Sequence, residues 1–322
     1  MHPLTFKPEF IDAFELGTKN TLLDGALTLN ASAFYYNYEN YPISEIVDRT
    51  SVNINFDAPV KGAELEATWE PIPGLRFKFA GGYEDARLAK GSQAVDLMDR
   101  TAGHSDWLVV KPSVFSTSNC ILPQYVVAEL LAVGISNPPG YGGGNSNNLV
   151  ANPAWLISSL TGSACEEAYN AHVDPTTVIN NALKAQGFRA ANFPLSGFDP
   201  TTAPNNGEGF DKDLSGNQLP NAPPLTASFG AQYSMPLTSD WAGTARVDYY
   251  WQDYSWARVF NDNPYDRLRG YTNVNLTFIF TNQNGWQAMA YAKNVFNTTA
   301  ITGAFLNSDD PALTTNVFTT DP

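Results

Sequence analysis

The stretch Ala58–Tyr83, APVKGAELEATWEPIPGLRFKFAGGY, constrains the fold more than any other part of the chain. Side chains on a strand alternate between two faces. Ala63, Leu65, Ala67 and Trp69 therefore share one face, and Gly62, Glu64, Glu66, Thr68 and Glu70 the other. After a tight turn at Pro71–Gly74, Leu75, Phe77, Phe79 and Tyr83 oppose Arg76, Lys78 and Glu84. Two long antiparallel strands are predicted, each apolar on one side and charged on the other. A soluble sandwich meets this pattern with its charged face in water. A membrane barrel meets it with the apolar face in lipid and the charged face lining a lumen.

Strand length separates the two. Ala26–Val47 and Val52–Glu70 both read as strands, joined by a turn at Asp48–Ser51. They exceed the ~3–10 residues usual in soluble strands and the ~9–11 that a bilayer requires. That favours a barrel whose strands project beyond the membrane. Leu27, Leu29, Ala31, Ala33 and Tyr35 oppose Thr28, Asn30 and Ser32. Near Phe34 the alternation gives way to Phe34, Tyr35, Tyr36, Tyr38 and Tyr41. This cluster predicts an aromatic girdle at a lipid–water boundary, with an ordinary aromatic-rich strand end as the alternative. Pro59 predicts an irregularity near Asp57–Pro59, because proline cannot donate to the ladder.

The same alternation recurs elsewhere. Phe10–Asn20 sets Phe14, Leu16 and Thr18 against Glu15, Gly17 and Lys19, and Asp24-Gly25 closes a hairpin at Leu22–Gly25. Strands resume at about Asn217. Ala227, Phe229, Ala231 and Tyr233 oppose Thr226, Ser228 and Gln232; Ala245, Val247, Tyr249 and Trp251 oppose Thr244, Arg246, Asp248 and Gln252. Val274, Leu276, Phe278 and Phe280 oppose Asn273, Asn275 and Thr277; Trp286, Ala288, Ala290 and Ala292 oppose Gln287, Met289, Tyr291 and Lys293. Turns fall at Pro236–Asp240 and Asn282–Gly285, and a longer loop at Ala257–Arg267. The expectation is an open antiparallel sheet of about eight strands with short turns at one end and long loops at the other, as outer-membrane barrels have. Leu65, Phe77, Val247 and Phe278 fall on its convex face. The tail Asn297–Pro322 shows no strand pattern.

Between Arg87 and about Asn217 the strand pattern disappears. Loops beyond ~12–15 residues carry function or structure of their own. Leu88–Gly216 carries three helix signals: Pro123 to about Gly134, Asn152-Pro153 to Gly162, and Asp174-Pro175 to Gly187 with Val178, Ile179, Ala182 and Leu183 on one stripe. Pro138–Asn148 reads as a flexible Gly/Asn tract. The chain thus divides into strands (1–87), an insertion with short helices (88–216), strands (217–297) and a tail (298–322).

Composition excludes several classes. Charged residues are only 16%, against ~25% in soluble domains. The net charge of −14 opposes binding to nucleic acid. The most apolar run, Tyr125–Ile135, is interrupted by Glu129 and falls short of the ~18 residues of a membrane-spanning helix. The N-terminus, MHPLTFKPEFIDAF, has no apolar signal-peptide core. Either the protein is not exported or the chain is a piece of a longer one.

The ordered segments FKPEFIDAFELGTKNTLLDGALTLNASAFYYNYENY, VNINFDAPVKGAELEATWEPIPGL, LSGNQLPNAPPLTASFGAQY and YAKNVFN together resemble the C-terminal barrel of TonB-dependent outer-membrane receptors. The resemblance covers about Phe6–Arg87 and Asp213–Asn297. It implies an all-β fold, an antiparallel transmembrane segment of a barrel of 22 strands closed by a plug; Leu88–Gly216 has no assigned counterpart in the family and is read from its helix signals as a long, partly helical loop at the extracellular end. The resemblance implies a bacterial outer-membrane location and active uptake of a siderophore, vitamin, metal chelate or glycan, driven by TonB, ExbB and ExbD. It implies as partners a plug domain, the remaining strands, outer-membrane lipid and the imported compound. The family's signal peptide, TonB box, plug, earlier strands and final strand have no match, so a fragment is expected. A passive porin-like barrel and a soluble all-β binding module stand as alternatives.

No catalytic constellation is evident, and no enzyme, cofactor or metal is expected. His2, His104 and His172 lack metal-ligand spacing. Asp211-x-Asp213-x-Ser215-Gly216 opens like a calcium loop, but Ala222 stands where the twelfth-position Glu belongs. Gly140–Gly144 lacks the phosphate-loop Lys. The candidate lumen-facing or substrate-binding set is Glu15, Lys19, Glu64, Glu66, Arg76, Lys78, Arg246, Asp248, Asn273, Asn275 and Lys293. Such charges guide a polar substrate, hold a plug or only hydrate the lumen. Export to an oxidising compartment predicts a Cys120–Cys165 disulfide, with two buried free thiols as the alternative. The insertion is acidic and carries Trp107, Tyr125, Tyr141, Trp155 and Tyr169, which suit a first-contact lid as well as a passive cap.

Overall fold

The computed structural model describes residues 7–47, 50–110, 120–135, 164–185, 195–306 and 318–321. The expected helix at Asn152–Gly162 and the Pro138–Asn148 tract lie outside these residues.

Eight strands form one antiparallel sheet: β1 (Phe10–Leu22), β2 (Leu27–Val47), β3 (Thr50–Ile72), β4 (Leu75–Ala86), β9 (Leu225–Pro236), β10 (Trp241–Gln252), β13 (Tyr271–Asn282) and β14 (Gln287–Ala292), each paired with the next. The turns that join β1 to β2, β3 to β4, β9 to β10 and β13 to β14 lie at one end. Leu23 and Asp24 turn with positive φ between Leu22 and Leu27. Gly74, at φ +83°, closes β3 onto β4, where Ile72 pairs with Leu75. The insertion and the β10–β13 loop lie at the other end.

The register makes the two faces continuous. One cross-sheet row runs Leu22, Leu27, Trp69, Phe77, Ala231, Val247, Leu276 and Ala292. A neighbouring row on the opposite face runs Thr21, Thr28, Thr68, Lys78, Gly230, Asp248 and Asn275. Leu65, Phe77, Val247 and Phe278 share the first face, opposite Glu66, Lys78 and Asp248. Phe14 (65% exposed), Leu16 (82%), Phe229 (43%) and Phe278 (46%) show that nothing in the described chain covers the apolar face.

The expected irregularity is a bulge. Tyr38 pairs with Ala58 and Tyr41 with Phe56, so Glu39 and Asn40 together oppose Asp57. Asn40 adopts φ 59° and its N–H donates to Asp57 Oδ1 at 2.9 Å. The bulge corrects the girdle expectation. Phe34, Tyr36 and Tyr38 alternate onto the polar side of β2, and the extra residue brings Tyr41 there too. With Phe56, Ala58, Val60, Ala86, Leu88, Ala94, Leu214, Leu219, Val259 and Phe260 they form an apolar core between the sheet and the loops above it. Of the five aromatics only Tyr35 faces out. Gly62 makes room for Phe34: a Cβ there would meet Phe34 Cζ at 2.5 Å and Tyr83 O at 2.2 Å.

The insertion contains strands that the sequence reading missed. β5 (Gln93–Val95) pairs with β8 (Asp211–Asp213), and β6 (Trp107–Val110) with β7 (Cys120–Pro123). In the tail, β15 (Gly303–Leu306) pairs with β16 (Phe318–Asp321), against the expectation of no strand there. These strands are too short to display an alternation, and β5–β8 joins residues distant in sequence. Between β10 and β13, β11 (Ser255–Trp256) pairs with β12 (Arg267–Leu268). Two of the expected helices are present as α1 (Gln124–Ile135) and α2 (Pro175–Ala185). Asp174 caps α2, its Oδ1 accepting from Thr176 N–H at 3.0 Å. A further helical turn at Glu166–Asn170 was not foreseen.

Candidate functional site

Alternation alone defines the polar face, and the structure places its candidate residues in three groups. Glu66, Lys78, Arg246, Asp248 and Asn275 come together. With Thr68, Ala80, Ser228 and Tyr250 they line a hollow of about 390 Å3. Gly230 and Ala80, with little or no side chain, leave space at its floor; a Cβ on Gly230 would stand 3.2 Å from Asp248 Oδ1 and 3.8 Å from Lys78 Cβ. Arg246 clasps Asp248 in two-pronged fashion, Nε to Oδ2 at 2.7 Å and Nη2 to Oδ1 at 2.6 Å. This pair neutralises itself. Lys78 and Glu66 have no ion-pair partner among the described residues, so they are the charges available to something entering the hollow.

The second group lies on the same face but outside the lining of the hollow. Asn273 pairs with Tyr250 in the row that contains Lys19, Asn30 and Glu66. Glu64 sits one row further toward the loops, and Glu15 another, opposite Phe34. The third group sits at the rims. Arg76 is tied to Glu70 beside the β3–β4 turn. Lys293 follows the end of β14, its Nζ 5.6 Å from the Tyr291 ring centre. Tyr250, Ser228 and Gly230, which shape the hollow, were missed because only charge and amide character marked the candidates.

A second missed feature lies above the sheet. Asp96 and Asp266 are 2% and 0% exposed, and Arg258 bridges them. Its Nη1 donates to Asp96 Oδ1 at 2.8 Å and its Nη2 to Asp266 Oδ2 at 2.7 Å. Lys212 Nζ adds contacts to Asp96 at 3.2 Å, Asp99 at 3.0 Å and Asp262 at 2.7 Å. Burial would raise the Asp96 carboxyl, but Arg258, the Met98 N–H and Lys212 outweigh it and hold it below the usual carboxylate range. Lys212 also loses hydration, yet its carboxylates push its pKa up. The network clamps the insertion to the β10–β13 loop. Nothing local in sequence marks it.

Beyond the clamp, Cys120 and Cys165 are disulfide-bonded, Sγ to Sγ 2.07 Å. The bond lies in a small core with Val110, Leu122, Val126, Leu130, Ala168, Tyr169 and Phe198. Trp107 and Tyr169 pack there, which removes both from the candidate contact surface, whereas Tyr125 is 53% exposed. Tyr141 and Trp155 lie outside the described residues. Asp213 Oδ1 accepts from Ser215 N–H at 2.9 Å and from Ser215 Oγ, an ordinary turn. Among the described residues no group of three His, Cys, Asp or Glu side chains is placed to hold a metal ion.

A family model described as TonB dependent receptor-like, beta-barrel, matches residues 3–113 and 135–295. No curated protein sequence matches. Among solved structures, the ferric yersiniabactin uptake receptor FyuA from Yersinia pestis is similar at 13% identity and a TM-score of 0.50, over 98% of this chain and 28% of that one. The siderophore receptor PiuA from Acinetobacter baumannii is similar at 14% identity and a TM-score of 0.47, over 99% of this chain and 28% of that one. The chain thus spans a little over a quarter of the length of these receptors.

Proposed function

Because the chain belongs to the TonB-dependent receptor β-barrel family, we propose that it forms part of the wall of an outer-membrane receptor for active uptake of a scarce compound. One observation carries this reading. Eight strands hold an uncovered apolar face in register against a polar face whose hollow presents Lys78 and Glu66. In the proposal the apolar face contacts lipid. Trp69, Trp241 and Trp286 at the short-turn end and Tyr35 and Tyr83 at the loop end then mark the two interfaces. The polar face lines the lumen, where the candidate charges meet a plug or a passing substrate. Further strands complete the barrel, and TonB with ExbB and ExbD supplies energy through the plug. Residues 1–87 and 217–297 serve as wall and 88–216 as an outer lid. The imported compound is a siderophore, vitamin, metal chelate or glycan, and the chain's work is binding and passage rather than bond chemistry.

The test is energised uptake. Cells carrying the gene should take up a compound that cells lacking it do not, and loss of TonB or addition of a protonophore should abolish the difference. Uptake that survives both treatments identifies a passive pore. For the lid, Ser113–Asp199 is deleted and assembly confirmed by surface labelling; unchanged substrate affinity and uptake would reject that role.

A further inference from the structure

We propose that a second hollow, at the loop end of the polar face, is a binding subsite for an uncharged compound bearing an aromatic ring and one or two hydrogen-bonding groups. The proposal rests on the receptor reading for its place on an import route, but its chemistry is independent of that reading. The hollow, of about 460 Å3, lies between the ends of β2 and β3 and the segments around Asn221 and Val259. Small-molecule sites run to ~300–1,000 Å3 and are mostly apolar with a few placed polar groups.

Its walls fit that description. Tyr41, Phe56 and Phe260 supply rings, and Ile43, Ile54 and Val259 fill between them. Phe56, Val259 and Phe260 belong to the core that fixes the loops to the sheet, so the walls are held in place. Two polar groups are free to orient a ligand: the Tyr41 hydroxyl and the Asn221 side-chain amide make no hydrogen bond among the described residues.

Charge decides the class of ligand. Among the described residues Arg258 is the one charged side chain in the lining. Its guanidinium is already committed to Asp96 and Asp266, two carboxylates almost completely buried. A ligand carboxylate would compete with both and lie close to their charge. A ligand ammonium would find no carboxylate among the described residues of the lining. Either ion would lose its hydration without a counter-charge, which is costly. A neutral ring loses little water and gains the aromatic walls.

The experiment uses the protein extracted from outer membranes and reconstituted in lipid nanodiscs, with empty nanodiscs as the control for partitioning. Binding of 4-fluorobenzamide, 4-fluorobenzoate and 4-fluorobenzylamine is followed by fluorine NMR line broadening. The neutral amide should bind at least about tenfold more tightly than either ion. Ala257→Trp, which fills the hollow, should abolish its binding. Tyr41→Phe, which removes only the hydroxyl, should weaken it several-fold with the fold intact. Equal or tighter binding of benzoate or benzylamine, broadening no greater than in empty nanodiscs, or an Ala257→Trp protein that binds like the wild type would each overturn the proposal. Uptake is scored separately in cells. Amide binding without TonB-dependent uptake retains the subsite and rejects the receptor reading; uptake without amide binding rejects the subsite alone.

Discussion

Arg258 Nη1 lies 2.8 Å from Asp96 Oδ1 although 162 residues separate them in the chain. The contact joins the root of the insertion to the β10–β13 loop and leaves both carboxylates of the pair Asp96 and Asp266 sheltered from water. Truncation on one side of such a cluster strands buried charge, which costs about 3–5 kcal/mol. Arg258→Ala should therefore release the insertion, seen as rapid proteolysis within 88–216 while the strands stay protected. Equal protease resistance in the variant would show that the apolar core alone holds the loops.

Acid should do the same reversibly. Asp96 titrates below its ordinary value of 3.8 in the folded protein, so its contribution is present above that value and is lost as pH falls through the folded pKa. Lys212 is shifted upward from 10.5, so its contribution is complete below that value and is lost only at still higher pH. Amide hydrogen exchange around residues 93–100 and 208–213, corrected for intrinsic pH dependence, should be constant from about pH 5 to 9 and rise below about pH 4. A rise centred between pH 6 and 7 would point to another titrating group.

Adjacent residues on β3 separate the two faces. Leu65→Arg places a cation on the apolar face and should destabilise the membrane-inserted protein by about 2–4 kcal/mol, whereas Glu66→Arg on the polar face should cost less than about 1 kcal/mol. Urea unfolding from lipid vesicles measures both. Equal costs would mean that the apolar face is not in lipid.

Reduction of the disulfide should loosen the insertion locally. Cys120 and Cys165 close a loop of 45 residues, worth about 4 kcal/mol in the chain-entropy account. Cys120→Ala with Cys165→Ala should expose the helical part of the insertion to protease, and heat-resistant barrel migration in gels should be unchanged. Loss of barrel migration as well would place the disulfide among the determinants of strand assembly.

The long strands were legible because one face of each meets a single environment, so the period of two survives over Ala63–Trp69 or Val274–Phe280 without reference to any partner. The short turns were legible for a similar reason: Asp24-Gly25 and Pro73-Gly74 carry their backbone preferences locally. The polar candidates could be assigned to a face but not gathered. Glu66, Lys78, Arg246, Asp248 and Asn275 meet in one hollow because β4 pairs with β9 across the whole insertion, a register that no local pattern encodes. The fate of Phe34, Tyr36, Tyr38 and Tyr41 likewise depended on one bulge opposite Asp57 and on what packs above it. The clamp of Asp96, Lys212, Arg258 and Asp266 was invisible, since an ion pair leaves no periodicity and its members come from three distant segments. Sequence by itself determined which faces the strands have, because alternation is a property of the backbone. Only the tertiary structure decided which side chains meet, because meeting depends on strand order, register and the loops that close over the sheet.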